Sequence, residues 1–153
     1  MKREASVVWR GTVTEGNGQI STKSGALQNL PYSFTTRFGE AAGTNPEELI
    51  AAAHASCFAM ATSAALTKQG FSPESLSVTA VVSLDKDKDT WTVGSSALTL
   101  KGRVANVTPD QFQAIVEDAK KNCPISRLLK AEITLKAELE TGDTRPWAPP
   151  APQ

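Results

Sequence analysis

The stretch Thr44–Gln69, TNPEELIAAAHASCFAMATSAALTKQ, is the longest helix signal in the chain. Thr44 or Asn45 can cap the helix N-terminus, and Pro46 occupies a position where a missing N–H is tolerated. Two acidic residues follow and suit the positive end of the helix dipole. Gly70 is expected to be the C′ residue that ends the helix. The stretch therefore predicts one long helix around which the rest of the chain is organised.

Small residues dominate this predicted helix. Eight alanines lie between Ala51 and Ala65, and no lysine or arginine occurs in the stretch before Lys68. Such a helix is expected to be buried and closely approached by its neighbours. An apolar stripe with four-residue spacing carries one cysteine and is formed by Leu49, Ala53, Cys57 and Ala61.

Composition indicates an ordinary globular protein. The chain has 153 residues, 40% of them hydrophobic and 21% charged, and its 16 basic side chains balance its 16 acidic ones. This neutrality favours neither nucleic-acid nor anionic-membrane binding. We find no secretory signal and no apolar run long enough to span a membrane, so a cytoplasmic location is expected. We predict one domain over residues 1–142 and a Pro-rich tail over residues 143–153.

The remaining sequence predicts strands interspersed with helices. Asp85–Asp89 is interpreted as a solvated loop between two of the strands, and the second of these strands is expected to bend near Gly94. This arrangement indicates an α+β fold with antiparallel hairpins. The predicted strands are rich in β-branched and aromatic residues: Ser6–Thr14, Gln19–Thr22, Tyr32–Phe34, Ser75–Leu84, Thr90–Val104 and Ala131–Glu140.

A second helix is predicted to begin after Thr108, with Gln111 placed to complete a capping box, and to run to about Lys121. Pro124 ends this helix and can begin a short one, which places Cys123 near an N-cap. One face of the second helix is apolar and is formed by Phe112, Ile115, Val116 and Ala119.

Cys57 and Cys123 are the two cysteines of the chain, too few for a disulfide scaffold. Each could be an inert buried thiol. A reactive thiol needs a nearby group that stabilises its thiolate, and Arg37 in PYSFTTRF is a candidate, although taken alone it is more readily interpreted as a surface residue. Cys123 could be the resolving partner of Cys57, but sequence spacing cannot establish that the two thiols lie close together.

Glu47 and Glu48 suit the first helical turn for dipole reasons alone. Glu47 lies ten residues before Cys57, which is about 15 Å along a straight helix. It therefore cannot contact the cysteine of its own helix. Two antiparallel copies of the helix, crossing near residue 52, would bring Glu47 of one chain beside Cys57 of the other.

His54 has three possible roles. It could act as a base for Cys57, as in cysteine hydrolases. It could join Cys57 and Cys123 in a metal site. The simplest interpretation is a buried, hydrogen-bonded structural histidine.

Two segments together strongly resemble the OsmC/Ohr family of organic hydroperoxide reductases, and its OsmC branch most closely. They are TNPEELIAAAHASCFAMA at 44–61 and NCPISRLLKAEITL at 122–135. Support comes from the V-x-W strand at 7–9 and from STKSGAL, PYSFTTRF, GTNPEELI and VSLDKDK. The resemblance covers about residues 6 to 140 and does not extend to the tail.

The resemblance implies a curved antiparallel sheet packed on a long central helix, in an intertwined homodimer whose active sites are shared between chains. It implies a thiol peroxidase of oxidative and osmotic stress defence. No cofactor is implied, only an external dithiol of the lipoyl type as reductant. Cys57 matches the peroxidatic cysteine, Cys123 the resolving one, Arg37 the activating arginine, and Glu47 the acid that orients it. Apolar side chains near the pocket would favour organic hydroperoxides, and the candidates are Phe38, Phe58 and Met60. The alternative is a non-catalytic, stress-related dimer with this fold.

Overall fold

The computed structural model describes residues 1–140, so the predicted tail at 143–153 lies outside it. The chain divides between Leu49 and Ile50 into two compact units, each with its own three-stranded sheet. The α+β class is confirmed, whereas the single domain over residues 1–142 stays a prediction. The described elements are, in order, β1 (Ala5–Arg10), β2 (Asn17–Thr22), β3 (Leu30–Ser33), α1 (Phe34–Phe38), α2 (Pro46–Lys68), β4 (Pro73–Asp87), β5 (Thr90–Val104), α3 (Pro109–Asn122), α4 (Pro124–Leu128) and β6 (Glu132–Leu139).

The N-terminal unit contains the antiparallel sheet β1–β2–β3. Strand β1 is shorter than predicted because Gly11 adopts a φ of +91° and turns the chain. Helix α1 was not predicted. The Ser33 side chain caps it by accepting a hydrogen bond from the Thr36 N–H, and the Thr36 Oγ1 in turn accepts a hydrogen bond from the Ser33 N–H. This reciprocal cap ends the extended segment at Ser33 and turns the chain into α1.

Helix α2 begins and ends as predicted. The Asn45 Oδ1 accepts a hydrogen bond of 2.8 Å from the Glu48 N–H. At the other end Gly70 adopts a φ of +85°, and the Phe71 N–H donates to the Leu66 carbonyl at 3.0 Å. Glycine is suited to this left-handed C′ position because it has no Cβ.

The predicted apolar stripe of α2 is displaced by one residue. Cys57 and Ala61 are only partly buried and Ala53 is exposed. The larger side chains fill the core, so the helix turns them inward and leaves the small ones at the edge. The fully buried stripe is formed by His54, Phe58, Thr62 and Leu66.

Much of α2 remains exposed in the single chain. Only 22% of its most apolar 18-residue window is buried. Within residues 1–140 it is the one helix long and apolar enough to cross a bilayer, as judged by length and composition alone. The sequence prediction had found no such segment, since alanine raises the mean hydropathy while the serines and threonines between the alanines interrupt any continuous apolar run. The core helix of a soluble protein meets the same criterion.

The second sheet has the order β4–β5–β6. The predicted loop at Asp85–Asp89 is mostly strand, because pairing continues to Asp87 opposite Thr90. A register irregularity between Ser83 and Leu84 lies opposite Gly94, where a bend was predicted. One pairing departs from the antiparallel expectation: β6 runs parallel to β5. The reason is the crossover through α3 and α4, which returns the chain in the same direction.

The core of the second unit, which begins at Ile50, lies between α2, α3 and the sheet β4–β5–β6. The predicted face of α3 is buried, and Cys123 at its end is fully buried with it. The core members from both helices and β5 are Phe58, Leu66, Leu98, Leu100, Val104, Phe112, Ile115, Val116, Ala119 and Cys123.

Thr108→Ala is expected to lower the free energy of unfolding by about 1 kcal/mol. The Thr108 hydroxyl accepts a hydrogen bond of 3.3 Å from the Gln111 N–H, and alanine leaves that donor unpaired. Thermal denaturation should show a midpoint roughly 2–4 °C lower. Thr108→Ser keeps the hydroxyl and is the matched control. Equal midpoints for the alanine and serine variants would contradict a stabilising cap.

Candidate active site

The two thiols of the chain lie in contact. The Cys57 and Cys123 sulfurs are 3.3 Å apart, and both cysteines are free. Cys57 comes from the middle of α2 and is partly exposed, whereas Cys123 is fully buried at the junction of α3 and α4. Sequence spacing could not establish this proximity. The arrangement allows the two sulfurs to form a disulfide after one of them is oxidised.

Cys123 lies at the junction of α3 and α4. Its N–H donates to the Ala119 carbonyl as the last bond of α3, and Pro124 then begins α4. Burial raises the pKa of the Cys123 thiol. The polar surroundings supplied by Ser126, Cys57 and the Ile125 backbone outweigh burial, so the pKa lies below its ordinary value. A thiol at a helix N-terminus is a recognised setting for this effect.

The pKa of the Cys57 thiol is raised rather than lowered. Burial raises the pKa of the Cys57 thiol, a hydrogen bond from the Ile125 N–H lowers it in part, and its contact with Cys123 raises it further. For Cys57 to act as the attacking thiolate, a positive charge must lie near it.

Arg37 and Glu47 form a bidentate ion pair within the N-terminal unit. The Arg37 Nη2 lies 2.7 Å from the Glu47 Oε1, and the Arg37 Nε donates to the Oε2 at 3.2 Å. The last turn of α1 carries the arginine and the first turn of α2 carries the acid. Glu48 instead accepts a hydrogen bond from the Thr44 hydroxyl at 2.9 Å. The two adjacent acids thus have different partners, and only Glu47 holds the guanidinium.

An apolar pocket of about 200 Å³ lies beside Arg37 in the same unit. Phe38 is part of its lining, as the sequence suggested. Phe58 instead belongs to the core, and Met60 is 76% exposed. The other aromatic positions were missed, although the V-x-W strand and PYSFTTRF carry them. The lining residues are Trp9, Val13, Tyr32, Ser33, Phe34, Arg37 and Phe38.

His54 is fully buried and both of its ring nitrogens are engaged. Nδ1 lies 2.7 Å from the Ser96 Oγ, and Nε2 lies 2.8 Å from the Ser126 Oγ. Burial lowers the pKa of His54, so the ring is neutral at neutral pH. These contacts support the structural role rather than a base or metal ligand, and within residues 1–140 no three His, Cys, Asp or Glu side chains are grouped to hold a metal ion. Sequence reasoning missed both serines because no local motif marks them.

Comparisons with known proteins show which family the chain is similar to. Residues 39–138 match the family described as OsmC-like protein, a range that includes Glu47, Cys57 and Cys123. Peroxiredoxin OsmC of Escherichia coli is 47% identical over 133 residues, covering 87% of this chain and 93% of that protein. The organic hydroperoxide resistance protein OhrB of Bacillus subtilis is 31% identical over 126 residues, covering 80% of this chain and 89% of that protein.

The fold of the chain is also similar to that of solved structures. The crystal structure of B. subtilis OhrB superposes with a TM-score of 0.64 at 26% identity, covering 90% of this chain and 98% of that one. Sequence and fold point to one conclusion: the chain is a member of the OsmC-like protein family.

Proposed function

We propose that this protein is a cysteine-based peroxidase that reduces organic hydroperoxides to alcohols in oxidative and osmotic stress defence. The names of its relatives, a peroxiredoxin and an organic hydroperoxide resistance protein, support a peroxide-reducing role. The observation that carries the mechanism is the 3.3 Å separation of the Cys57 and Cys123 sulfurs. Free thiols persist in a reducing compartment, and we propose that the protein lies in the cytoplasm.

In the first step the Cys57 thiolate attacks the distal oxygen of the hydroperoxide. A sulfur–oxygen bond forms, the O–O bond breaks, and the departing alkoxide takes a proton to leave as an alcohol. Cys57 is thereby oxidised to a sulfenic acid while the peroxide is reduced. Cys57 is the better candidate for this step because it is the partly exposed thiol of the pair.

In the second step the Cys123 sulfur attacks the Cys57 sulfenic acid. An S–S bond forms, the S–O bond breaks, and hydroxide takes a proton and leaves as water. The sulfurs already lie within the range of a near-attack geometry. An external dithiol, of the lipoyl type that the resemblance implies, then reduces the disulfide. Neither step requires a resident cofactor.

Arg37 is proposed to stabilise the Cys57 thiolate, and Glu47 to hold the guanidinium in position through the bidentate pair. Glu47 and Cys57 are ten residues apart on α2, about 15 Å along its axis. We therefore propose a homodimer in which the Arg37–Glu47 pair of one chain serves the Cys57 of its partner. The exposed, alanine-rich surface of α2 supports close approach of a second copy.

The pocket beside Arg37 supports an organic substrate. Its walls are aromatic and aliphatic, and its volume of about 200 Å³ suits an aryl or branched alkyl group. Such a pocket would hold the organic part of a hydroperoxide and leave its oxygens near the guanidinium. Hydrogen peroxide has no organic part and would gain nothing from these contacts.

The defining experiment is a peroxidase assay. Consumption of cumene hydroperoxide, tert-butyl hydroperoxide and hydrogen peroxide should be compared, with dithiothreitol or dihydrolipoamide as reductant. We expect turnover with both organic hydroperoxides at rates well above that with hydrogen peroxide. A protein that consumes none of the three, although dimeric and folded, would be the non-catalytic dimer instead.

Cys123→Ser is expected to stop the cycle after one oxidation. One equivalent of hydroperoxide should still convert Cys57 to a sulfenic acid, which a dimedone-type trap would report. The intramolecular disulfide cannot form, so the mass decrease of about two daltons seen with the wild type should be absent. If the wild type accumulates the Cys57 sulfenic acid as strongly as the variant does, and shows no such mass decrease, Cys123 is not the resolving thiol.

A further inference from the structure

Three residues lie in one row across the N-terminal sheet. Trp9 of β1 is paired directly with Gly18 of β2, and Gly18 is paired directly with Tyr32 of β3. Directly opposed residues of antiparallel strands project to the same face of a sheet. The row therefore places two aromatic side chains on one face, with a residue that has no side chain between them.

The two rings close over Gly18. Their centroids are 5.3 Å apart and their planes are inclined at 52°. Gly18 itself is buried. A Cβ built on Gly18 would lie 2.7 Å from the Tyr32 Cζ and 2.8 Å from the Trp9 Cε3, which is closer than a Cβ approaches its neighbours in proteins. Glycine is therefore required for a steric reason, because the rings occupy the space that a side chain would need.

A hydrogen bond holds one of the two rings. The Trp9 Nε1–H donates to the Gly11 carbonyl at 3.0 Å, in the turn that follows β1. Tyr32 packs on this ring in a tilted arrangement, and such aromatic pairs are favourable beyond the area that they bury. Trp9 and Tyr32 therefore form one continuous surface, which we call the strand-side wall.

The strand-side wall belongs to the pocket beside Arg37. Trp9 and Tyr32 line that pocket together with Phe34 and Phe38 of α1. The two phenylalanines form a second aromatic pair, with centroids 4.9 Å apart, which we call the helix-side wall. The Arg37 guanidinium carbon lies 5.1 Å from the centroid of the Phe38 ring. The pocket thus combines two aromatic walls with one cation.

We propose that Gly18 is a specificity-determining residue, because its missing Cβ lets the strand-side wall lie against β2 and gives the pocket its fit to a bulky organic group. The proposal rests on the proposed function, since it takes the occupant of the pocket to be the organic part of a hydroperoxide. A methyl group at position 18 would displace both rings and change the shape of the pocket. Gly18 acts through Trp9 and Tyr32 and does not itself touch the substrate.

The effect of Gly18 depends on the size of the substrate. A cumyl group is large enough to contact both aromatic walls of a pocket of about 200 Å³, so it loses contacts when the strand-side wall moves. A tert-butyl group is smaller and loses fewer contacts. Hydrogen peroxide has no organic part. The loss is therefore expected to increase from hydrogen peroxide to tert-butyl hydroperoxide to cumene hydroperoxide.

Binding of 2-phenyl-2-propanol tests the wall without any turnover. This alcohol is the product of cumene hydroperoxide and does not react with thiols. An NMR titration of the reduced wild-type protein should show saturable binding and should shift the indole N–H signal that is absent from Trp9→Phe. Gly18→Ala should bind roughly tenfold more weakly. Equal affinity in Gly18→Ala, or no binding to the wild type, would overturn the proposal.

Gly94→Ala is the matched control for this titration. Gly94 is also a strand glycine, in β5 of the second unit. A Cβ there would meet only side-chain atoms, the nearest being the Asp85 Oδ2 at 3.1 Å. This variant should bind 2-phenyl-2-propanol with wild-type affinity. An equal loss of affinity in Gly94→Ala and Gly18→Ala would show that the loss does not come from the strand-side wall, and would overturn the proposal.

A double-mutant cycle separates the clash from a general loss of stability. Gly18→Ala should lower the thermal midpoint when Tyr32 is present and should lower it much less in a Tyr32→Ala background, because the clashing ring is gone. Equal decreases in the two backgrounds would contradict the steric role of Gly18. If Gly18→Ala does not fold, Tyr32→Ala alone tests the wall, and unchanged binding of 2-phenyl-2-propanol in that variant would overturn the proposal.

Steady-state kinetics connect the wall to substrate choice. The ratio of kcat/KM for cumene hydroperoxide to that for hydrogen peroxide should fall roughly tenfold in Gly18→Ala, mainly through a higher KM for cumene hydroperoxide. If the wild type consumes no hydroperoxide but binds the alcohol as expected, the proposed function fails and the role of the wall in binding stands. If the wild type is active and Gly18→Ala keeps the same ratio, the role of Gly18 alone fails.

Discussion

Replacing Cys57 with serine is expected to abolish hydroperoxide reduction, lowering turnover by at least about a thousandfold. A serine hydroxyl does not ionise near neutral pH, and its oxygen cannot take up and pass on an oxygen atom as a sulfenic acid does. Cys123 of the same chain cannot replace it, because its thiol is fully buried and out of reach of a bulky hydroperoxide. The measurement is consumption of cumene hydroperoxide with dihydrolipoamide in excess.

A control variant and a stability measurement test whether the loss of activity is specific to the Cys57 thiol. Ser56→Ala changes the neighbouring residue, whose hydroxyl bonds only to the Ala53 carbonyl of its own helix, and should retain wild-type turnover. Thermal denaturation of Cys57→Ser should give a midpoint close to wild type, because serine is nearly isosteric with cysteine. Unchanged turnover in a folded Cys57→Ser protein would exclude the proposed mechanism.

Arg37→Ala is expected to lower turnover at pH 7 by roughly a hundredfold. Burial raises the pKa of the Cys57 thiol, so little thiolate is present at neutral pH unless a cation lies nearby. The reactive fraction grows as pH increases through the pKa. The variant should therefore recover activity progressively at alkaline pH, whereas the wild type should level off at lower pH. A pH–rate profile of kcat/KM measures both, and superimposable profiles would contradict the role of Arg37.

The adjacent acids provide a matched control for this site. Glu47→Gln removes the charge that holds Arg37 through two hydrogen bonds and should reduce turnover about tenfold. Glu48→Gln changes the next residue, which bonds to the Thr44 hydroxyl, and should have little effect. Equal losses in the two variants would indicate that charge at the start of α2, and not the pair with Arg37, is what matters.

Mixed dimers test whether the active sites are shared between chains. An Arg37→Ala chain has an intact Cys57, and a Cys57→Ser chain has an intact Arg37. If the arginine of one chain serves the cysteine of its partner, subunit exchange between these two inactive proteins creates one complete site per mixed dimer. A 1:1 mixture should then recover roughly a quarter of the wild-type activity. No recovery, in a mixture shown by native mass spectrometry to contain mixed dimers, would place each site within one chain.

Local signals in the sequence determined most element boundaries. The Asn45 cap, the Gly70 C′ residue, the capping box at Thr108 and the break at Pro124 all lie where they were predicted. Each depends on hydrogen bonds or backbone preferences within a few residues, which a sequence shows directly. Two local signals were overlooked: Gly11, which ends β1, and the reciprocal cap between Ser33 and Thr36, which begins α1.

The tertiary structure decided which faces of the helices and strands pack against each other. Alanine is compatible with either face of α2, so the sequence could not show that Phe58 and its neighbours on the buried stripe, rather than Cys57, would point into the core. The direction of β6 was likewise open until the crossover through α3 and α4 was known.

In the candidate site, too, the sequence indicated the residue types and the tertiary structure decided their contacts. Residue type and family resemblance selected Cys57, Cys123, Arg37 and Glu47 from the sequence. Contact between the two sulfurs joins positions 66 residues apart, and the serines around His54 lie 42 and 72 residues from it. Such contacts depend on how distant elements pack, and no local pattern encodes them. The sequence by itself therefore determined the longer helices and the reactive residue types, whereas the packing of those helices on the sheet decided which thiol is buried and that the two thiols touch.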